Sequence, residues 1–347
     1  MRMMKFMKIT GLFFFVILLG LALHETMLRR SIEAAYPPKG AFVDVSTARL
    51  HYIHRPAQFN ENVVQDPHPV VLIHGASGNA QDMELAFFDA LAPEIDVYAF
   101  DRPGLGWSDS KISAELMSSP QAQAEAIAQA IDKLGLEKPV IVGFSWGGAV
   151  AAAFASEYGD KVSGVVALAG VFYPWQGTDV WYQKLAEIPV VNQLFMRLAL
   201  VKIGQDMIPA SIDATFVPEA PFPDYQKQAA IDLILRPSPF IYNSIYGMRL
   251  RSHLQEMMGR YEQINVPLVL AAGDEDQTVY TPNQSQRLLK TVENAHFMHF
   301  KGAGHMLHHT RNQPIVTAIN DLAYGIALPA GEYIFQAEAH ESGHINQ

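Results

Sequence analysis

The stretch that decides the fold is Val140-Ile141-Val142-Gly143-Phe144-Ser145-Trp146-Gly147-Gly148-Ala149-Val150. A short apolar run, typical of a buried strand, leads through Gly-x-Ser-x-Gly into an alanine-rich segment typical of a helix. A serine at such a turn projects its hydroxyl at the carboxyl end of a sheet, and glycines at 143 and 147 avoid a collision where strand and helix cross closely. The stretch therefore predicts a nucleophile, Ser145, on a strained strand-to-helix turn.

A serine hydroxyl is a weak nucleophile at neutral pH, so it needs a base to accept its proton and an acid to orient that base. Two downstream segments supply such groups directly after apolar runs. They are Gly273-Asp274-Glu275-Asp276 and Gly302-Ala303-Gly304-His305. Because both follow predicted strands, they lie at the end of the sheet where Ser145 emerges. These residues indicate His305 as the base and leave Asp274 and Asp276 open as the acid.

Short apolar runs alternate with amphipathic segments along most of the chain. The runs are Val70–Ile73, Val97–Phe100, Val140–Val142, Val165–Leu168, Leu268–Ala271 and Phe297–Phe300, after an opening hairpin at Phe42–Val45 and Arg49–His54. A helix is predicted from the cap residue Ser119 to Gly135. Strands that are apolar on both faces and alternate with helices predict an α/β fold with a mostly parallel, doubly wound sheet.

Residues 172–261 break this rhythm, since they hold 13 of the 36 aromatic residues and their charges balance. Such an insertion is typical of a helical cap, or lid, over an apolar pocket. We therefore divide the chain into an N-terminal segment at 1–30, a core at 31–171 and 262–329, the cap at 172–261, and a loose, polar C-terminal tail at 330–347.

The N-terminal segment carries Arg2, Lys5 and Lys8 ahead of an uncharged apolar run, Ile9–Leu23. Its 15 residues fall short of the roughly 20 that a spanning helix needs, but flanking lysines can lengthen the apolar segment. We interpret it as an uncleaved transmembrane anchor, with a cleaved signal peptide or a buried helix as alternatives. The charges then predict a catalytic domain outside the cytoplasm, periplasmic or lumenal, or secreted if the segment is cleaved.

Composition excludes several classes of function. The formal net charge of −10 argues against a nucleic-acid partner, and the absence of cysteine excludes thiolate nucleophiles and cysteine-ligated metals. No phosphate-binding glycine loop occurs, so no cofactor is predicted. No metal site is predicted either, because the histidines near the base have no cysteine or paired carboxylate close in sequence. These histidines are His296, His299, His308 and His309.

From about residue 40 to 326 the chain resembles the α/β-hydrolase fold superfamily. The resemblance is to its capped branch, which includes epoxide hydrolases, haloalkane dehalogenases, carbon–carbon bond hydrolases and small esterases. Besides the serine, aspartate and histidine segments, the matching landmarks are His74-Gly75-Ala76-Ser77-Gly78 and Asp101-Arg102-Pro103-Gly104-Leu105-Gly106-Trp107-Ser108. The order Ser, Asp, His along the chain also agrees with this superfamily.

The resemblance implies a role for each matching residue: nucleophile Ser145, acid Asp276, base His305, and an oxyanion hole formed by the backbone N–H groups of Ala76 and Trp146. Asp276 is favoured over Asp274 because family members usually place the acid three residues beyond the glycine. His74 is expected to fix the loop that presents Ala76, and Asp101 to organise its own turn.

Epoxide hydrolases and haloalkane dehalogenases use an aspartate as nucleophile, so a serine at this position argues against both activities. The chain is predicted to be a serine hydrolase that cleaves a carboxylic ester with an apolar moiety, such as a small or lipid-like ester, through an acyl-enzyme. A carbon–carbon bond hydrolase, amidase, thioesterase or perhydrolase with the same triad is the first alternative. A catalytically silent binding or receptor-like member of the fold is the second.

Overall fold

A computed structural model describes residues 2–61, 66–175 and 201–336 of the chain. Within these residues ten strands form one sheet. The strands are β1 (Ala41–Asp44), β2 (Ala48–Arg55), β3 (Val70–Ile73), β4 (Val97–Phe100), β5 (Asp109–Ser110), β6 (Val140–Phe144), β7 (Gly164–Leu168), β8 (Leu268–Gly273), β9 (Ala295–Phe300) and β10 (Gly331–Phe335).

The strand order across the sheet is β1-β2-β4-β3-β6-β7-β8-β9-β10, with β5 paired to β2. The pairs that involve β2 are antiparallel, whereas the pairs from β4 to β10 are parallel. Every residue of β3, β4, β6, β7, β8 and β9 is buried, because helices cover both faces of the sheet. The prediction of a doubly wound, mostly parallel sheet with an opening hairpin is confirmed.

The helices of the described residues are α1 (Arg2–Ala35), α2 (Ala80–Phe87), α3 (Pro120–Leu134), α4 (Trp146–Glu157), α5 (Val201–Phe216), α6 (Tyr225–Gln228), α7 (Pro237–Met257), α8 (Ser285–Leu289), α9 (Leu307–Thr310) and α10 (Asn312–Ala323). Helix α3 begins as its sequence predicts: the Ser119 side chain accepts a hydrogen bond from the Ala122 N–H, and Pro120 is the first helical residue. It ends at Gly135, whose φ is 68°.

The insertion between β7 and β8 contains α5, α6, α7 and the 3-10 helices Ile231–Leu235 and Met258–Gln263. Residues 176–200 of the predicted cap lie outside the described residues. The boundaries assigned to core and cap from the sequence stay predictions.

The end of α1 contacts the cap. The Tyr36 hydroxyl donates to Asp232 at 3.3 Å, and Glu33 lies 3.7 Å from the Arg236 guanidinium. The Trp107 indole N–H donates to the carbonyl of Tyr36, and Arg236 stacks over the same indole. The end of α1 is therefore attached to the segment that contains Ile231–Leu235.

The apolar run Ile9–Leu23 lies within α1, which continues past it through charged residues. Of the helices in the described part of the chain, none is long and apolar enough to cross a membrane. A run of 15 residues is shorter than the roughly 20 needed to span a bilayer core. The predicted transmembrane helix is therefore not supported.

The prediction of a loose polar tail from residue 330 is wrong for its first residues, because β10 pairs in parallel with β9. This edge strand is held by side chains as well, since the His299 ring bonds Glu332 at 2.7 Å and the His296 ring bonds the Pro329 carbonyl. Residues 337–347 of the predicted tail lie outside the described residues.

Candidate active site

Ser145 occupies the sharp turn between β6 and α4. Its backbone has φ 52° and ψ −113°, a conformation that a residue with a side chain rarely adopts. The turn is held because the Ser145 N–H donates to the Leu168 carbonyl at 2.8 Å and its carbonyl accepts from the Gly148 N–H at 2.9 Å. The strained strand-to-helix turn predicted from the sequence is present.

The two glycines of the motif have the steric role that the sequence predicted. A Cβ at Gly143 would overlap the carbonyl oxygen of Gly147, and a Cβ at Gly147 would overlap the carbonyl oxygens of Ile73 and His74. These contacts are with backbone, so no side-chain rotation relieves them. Helix α4 thus lies close enough to the sheet only because both positions lack a side chain.

His305 and Asp276 come from the loops after β9 and β8 and meet at the carboxyl end of the sheet. Nδ1 of His305 lies 2.7 Å from Oδ2 of Asp276. The other carboxylate oxygen accepts from the N–H groups of Thr278 and Val279, each at 2.8 Å. Both side chains are buried. With a proton on Nδ1, this arrangement leaves Nε2 of His305 as the nitrogen able to accept a proton.

Asp274 occupies a different place. Its carboxylate accepts from the Gly302 N–H at 2.7 Å and pairs with Lys301 at 3.2 Å. It therefore braces the loop ahead of His305, whereas Asp276 contacts the imidazole. The geometry agrees with the choice of Asp276 that the family resemblance implies.

Ser145 and His305 share the wall of one cavity of about 330 Å³. Ala76 also lines it, and Trp146 is the first residue of α4, where backbone N–H groups lack helical acceptors. The cap contributes eight apolar side chains to the wall, which are Met207, Ile208, Ile212, Phe216, Ile231, Ile234, Leu235 and Phe240, together with the polar Ser211, Thr215, Tyr225, Asn243 and Ser244. No Lys or Arg is among the described residues that line this cavity.

The buried side chain of His74 contacts the loop that carries Ala76. Nε2 of His74 accepts from the Arg102 N–H at 3.0 Å, and Nδ1 lies 2.9 Å from the Gly75 carbonyl. Burial, reinforced by the Arg102 charge, lowers the pKa of His74 to about 4, so the ring is neutral at pH 7. The structural role predicted for His74 agrees with these contacts.

The Arg102 side chain was not singled out from the sequence, although it lies within one of the landmarks. Its guanidinium donates to the Gly75 carbonyl at 2.8 Å and lies 4.4 Å from the ring centre of Trp146. Burial lowers the pKa of Arg102 to about 9. Arg102 thus contacts the segments on both sides of the predicted oxyanion hole.

Asp101 organises its own turn, as expected. Its carboxylate accepts from the N–H groups of Ala80 and Trp107 and pairs with the His51 ring, each at 2.7 Å. It therefore has no place beside His305 as a competing acid.

A second cluster of ionisable groups lies near the cavity, and the sequence did not predict it. Asp82 of α2 contacts His308 and His309 of α9 and the hydroxyl of Tyr225 in the cap. Asp82 and Tyr225 line the cavity. Sequence reasoning missed the cluster because Asp82 stands more than two hundred residues before the histidines.

The protonation states in this cluster follow from burial and hydrogen bonding. Burial raises the pKa of Asp82, but the charges and hydrogen bonds of His308 and His309 outweigh it, so the net pKa lies well below its usual range. Burial lowers the pKa of His308 to about 4. At neutral pH the cluster therefore contains an ionised carboxylate and a neutral His308.

Comparison with known proteins assigns the class. The model of the alpha/beta hydrolase family matches residues 70–318, which is most of the chain. The protein therefore belongs to the alpha/beta hydrolase family, and its fold is the α/β-hydrolase fold.

Proteins similar to this chain carry the names of different enzymes. A Bacillus subtilis protein named for 2-succinyl-6-hydroxy-2,4-cyclohexadiene-1-carboxylate synthase activity is 26% identical over 249 residues, which are 69% of this chain and 84% of that protein. An esterase from Exiguobacterium antarcticum is similar in structure, with a TM-score of 0.64 at 18% identity over 83% of this chain and 99% of that one. A bacterial membrane phospholipase A has a TM-score of 0.60 at 17% identity, and the match covers 93% of this chain and 98% of that one.

Proposed function

We propose that the protein is a serine hydrolase that cleaves a neutral carboxylic ester with an apolar acyl or alcohol part. The observation that carries this proposal is the cavity shared by Ser145 and His305, whose cap side is mostly apolar and whose described wall contains no Lys or Arg. An acidic substrate would need a cation to compensate its carboxylate in such a site. A neutral ester needs only hydrogen-bond donors at its carbonyl and apolar contacts along its chain.

In the proposed mechanism, Nε2 of His305 accepts the proton of the Ser145 hydroxyl as the serine oxygen attacks the ester carbonyl. The carboxylate of Asp276, 2.7 Å from Nδ1, holds the imidazole in the required tautomer and stabilises the imidazolium. The imidazolium then protonates the departing alcohol, which leaves an acyl-enzyme. Water attacks this intermediate with His305 again as base, and the acid product leaves as Ser145 regains its proton.

The oxyanion that forms at the carbonyl carbon needs donors placed before the reaction. The proposed donors are the backbone N–H groups of Ala76 and Trp146. Their segments are braced by Arg102, which bonds the Gly75 carbonyl and stacks on the Trp146 ring. Donors fixed in this way stabilise the transition state without reorganising during the reaction.

The names of the relatives support the coarser part of this proposal. The esterase and the phospholipase A share the fold, and both act on ester bonds by their names. A lipid-like ester is compatible with the apolar cap wall. The triad chemistry also serves carbon–carbon bond hydrolases, amidases, thioesterases and perhydrolases, so the experiment must separate these activities.

The test uses 4-nitrophenyl esters with acyl chains of 2 to 16 carbons, a matching anilide and thioester, a vinylogous diketone acid, and a fluorescent fluorophosphonate probe. We expect turnover of the neutral esters above the other substrates, together with covalent labelling of the wild-type chain. Ser145→Ala removes both, whereas Ser211→Ala, which changes another serine of the same cavity wall, retains both. Absence of probe labelling in the wild type would instead favour a catalytically silent member of the fold. Preferential turnover of the diketone acid would overturn the ester assignment.

We also propose, from the basic residues Arg2, Lys5 and Lys8 ahead of the apolar run, that the N-terminal segment directs export and that the catalytic domain functions outside the cytoplasm. Protease treatment of intact cells after removal of any outer barrier tests this placement. Digestion of the catalytic domain is the expected result. Protection until the cells are lysed contradicts the proposal.

A further inference from the structure

Beside the candidate active site, two imidazoles and one carboxylate converge in a buried position. Nε2 of His308 lies 3.2 Å from Oδ2 of Asp82, and Nε2 of His309 lies 2.8 Å from Oδ1. The three potential ligand atoms, one from each side chain, lie within 4.8 Å of one another. His308 and Asp82 are almost fully buried, and the side chain of His309 is only 4% exposed.

We propose that Asp82, His308 and His309 bind one divalent transition-metal ion of the zinc class. Two imidazole nitrogens and a carboxylate form a donor set that this class of ion prefers, whereas Ca²⁺ and Mg²⁺ prefer oxygen alone. The proposal does not depend on the hydrolase activity proposed above, because binding is measured on the protein itself.

The size of the cluster suits such an ion. Tetrahedral coordination with bonds of about 2.0–2.1 Å places neighbouring ligand atoms about 3.3 Å apart. The two observed nitrogen–oxygen separations are close to this value: 3.2 Å from His308 to Oδ2 of Asp82, and 2.8 Å from His309 to Oδ1. Movements of about half an ångström, within the reach of side-chain rotation, therefore open the cluster around an ion.

The protons of the imidazoles are compatible with binding. Without an ion, each Nε2 donates its hydrogen to Asp82. On binding, each Nε2 must present its lone pair to the ion, so the ring hydrogen is carried by Nδ1 instead. The buried Nδ1 of His308 has no hydrogen-bond partner among the described residues, so this tautomer change breaks no existing bond at that atom.

The negative charge of Asp82 also favours a divalent cation. The ion pairs formed by the buried carboxylate of Asp82 in the described part of the chain are with His308 and His309, and no Lys or Arg pairs with it. A divalent cation bound at these residues compensates the charge at the point where it is concentrated.

The surroundings resemble the outer shell of a metal site. The Tyr225 hydroxyl donates to Oδ1 of Asp82 at 3.0 Å and orients the carboxylate. The rings of Phe144 and Phe222 pack against His308 and His309 and keep the site apolar. Outer-shell hydrogen bonds and an apolar shell both fix ligands in their binding geometry.

An ion here would link three parts of the molecule. Asp82 belongs to α2, the two histidines follow His305 within four residues, and Tyr225 belongs to the cap. Binding is therefore expected to stabilise the folded protein and to fix the loop that carries His305. The role is one of positioning, since the proposed ligands are not the groups that attack the substrate.

The test is calorimetric titration of ZnSO₄ into the tag-free full-length chain after dialysis against a chelator, followed by Co²⁺ absorption spectroscopy and thermal unfolding. We expect one ion bound per chain, visible bands of tetrahedral Co²⁺, and a higher melting temperature with zinc. His309→Gln and Asp82→Asn should each weaken zinc binding by at least about tenfold. His54→Gln is the matched control, because His54 also pairs with an aspartate but lies at the surface, and it should leave binding unchanged.

Zinc binding of equal strength by the wild type and His309→Gln would overturn the proposal, as would a wild type that binds no zinc. His309→Gln still tests the proposal if Asp82→Asn fails to fold, because glutamine at position 309 can still donate a hydrogen bond to Asp82. Equal loss of binding in His54→Gln would assign the signal to surface histidines and also contradict the site.

Discussion

Oδ2 of Asp276 lies 2.7 Å from Nδ1 of His305, although the two residues come from loops after different strands. The second oxygen of the carboxylate is held by two backbone N–H groups of its own loop, so the acid cannot rotate without losing bonds. A carboxylate fixed in this way holds one tautomer of the histidine. The relationship makes Asp276, the proposed acid, a target for mutation as well as His305, the proposed base.

Asp276→Asn should lower kcat for a 4-nitrophenyl ester by about a thousandfold or more, because an amide stabilises the wrong tautomer of His305. The fold should persist, since the amide oxygen still accepts backbone hydrogen bonds. Asp274→Asn is the control, and its half-exposed ion pair with Lys301 predicts a change below about threefold. Steady-state kinetics of both variants check this. Equal losses in the two variants would contradict the assignment of Asp276 as the acid.

Gly143→Ala should reduce the free energy of unfolding by about 2 kcal/mol or more, because the added methyl overlaps backbone that cannot move aside. Gly259→Ala meets nothing within 4 Å and should change it by less than about 1 kcal/mol. Urea unfolding at equal protein concentration measures both. A well-folded Gly143→Ala variant of wild-type stability would disprove the close approach of α4 to the sheet.

Acid should weaken the fold through His74. Its pKa is 6.5 in the unfolded chain and about 4 in the folded one, so the unfolded state binds the proton more readily between these values. The contribution of neutral His74 to the free energy of unfolding is therefore fully present above pH 6.5. It is lost as the pH drops toward 4, by up to about 1.4 kcal/mol per pH unit. His74→Gln, which retains an acceptor for the Arg102 N–H, should show a shallower slope in urea unfolding from pH 4.5 to 6.5. An unchanged slope would contradict the neutral, buried state of His74.

Ile212→Phe should shorten the acyl chain that the enzyme accepts, because Ile212 lines the cavity from α5. We expect kcat/KM to fall by about tenfold or more for an octanoyl ester and by less than about threefold for an acetyl ester. Ala214→Phe adds similar bulk on the exposed side of the same helix and should preserve the ratio of the two. The ratio of kcat/KM values is the measurement. A uniform loss on both esters in Ile212→Phe would place the acyl chain elsewhere.

The central strands were predictable because they are buried on both faces, which leaves a continuous apolar run such as Val70–Ile73 in the sequence. Strand β10 was not, since it lies at the sheet edge and Glu332, Tyr333 and Ile334 are exposed. Its pairing depends on contacts with β9 rather than on its own composition, so a polar segment of this kind was interpreted as a tail.

The candidate active site was predictable to the extent that its residues come directly after strands in the sequence. Parallel strands bring Ser145, Asp276 and His305 to one edge, and the sequence motifs identify Ser145 and His305. The choice between Asp276 and Asp274 needed the family resemblance, because both follow the same strand. The contact of Asp82 with His308 was beyond local pattern reasoning, since only the packing of α2 against α9 brings them together.

The attachment of α1 to the cap has a practical consequence for how the chain can be shortened. Tyr36 contacts Asp232 inside the 3-10 helix Ile231–Leu235, and Glu33 contacts Arg236 directly after it. Ile231, Ile234 and Leu235 of this helix form part of the cavity wall. A shortened chain that keeps these contacts must therefore begin within α1, before Glu33, and not at the end of the helix. A chain trimmed to residue 40 would lose part of the support of its substrate cavity, even though every strand of the sheet would be intact.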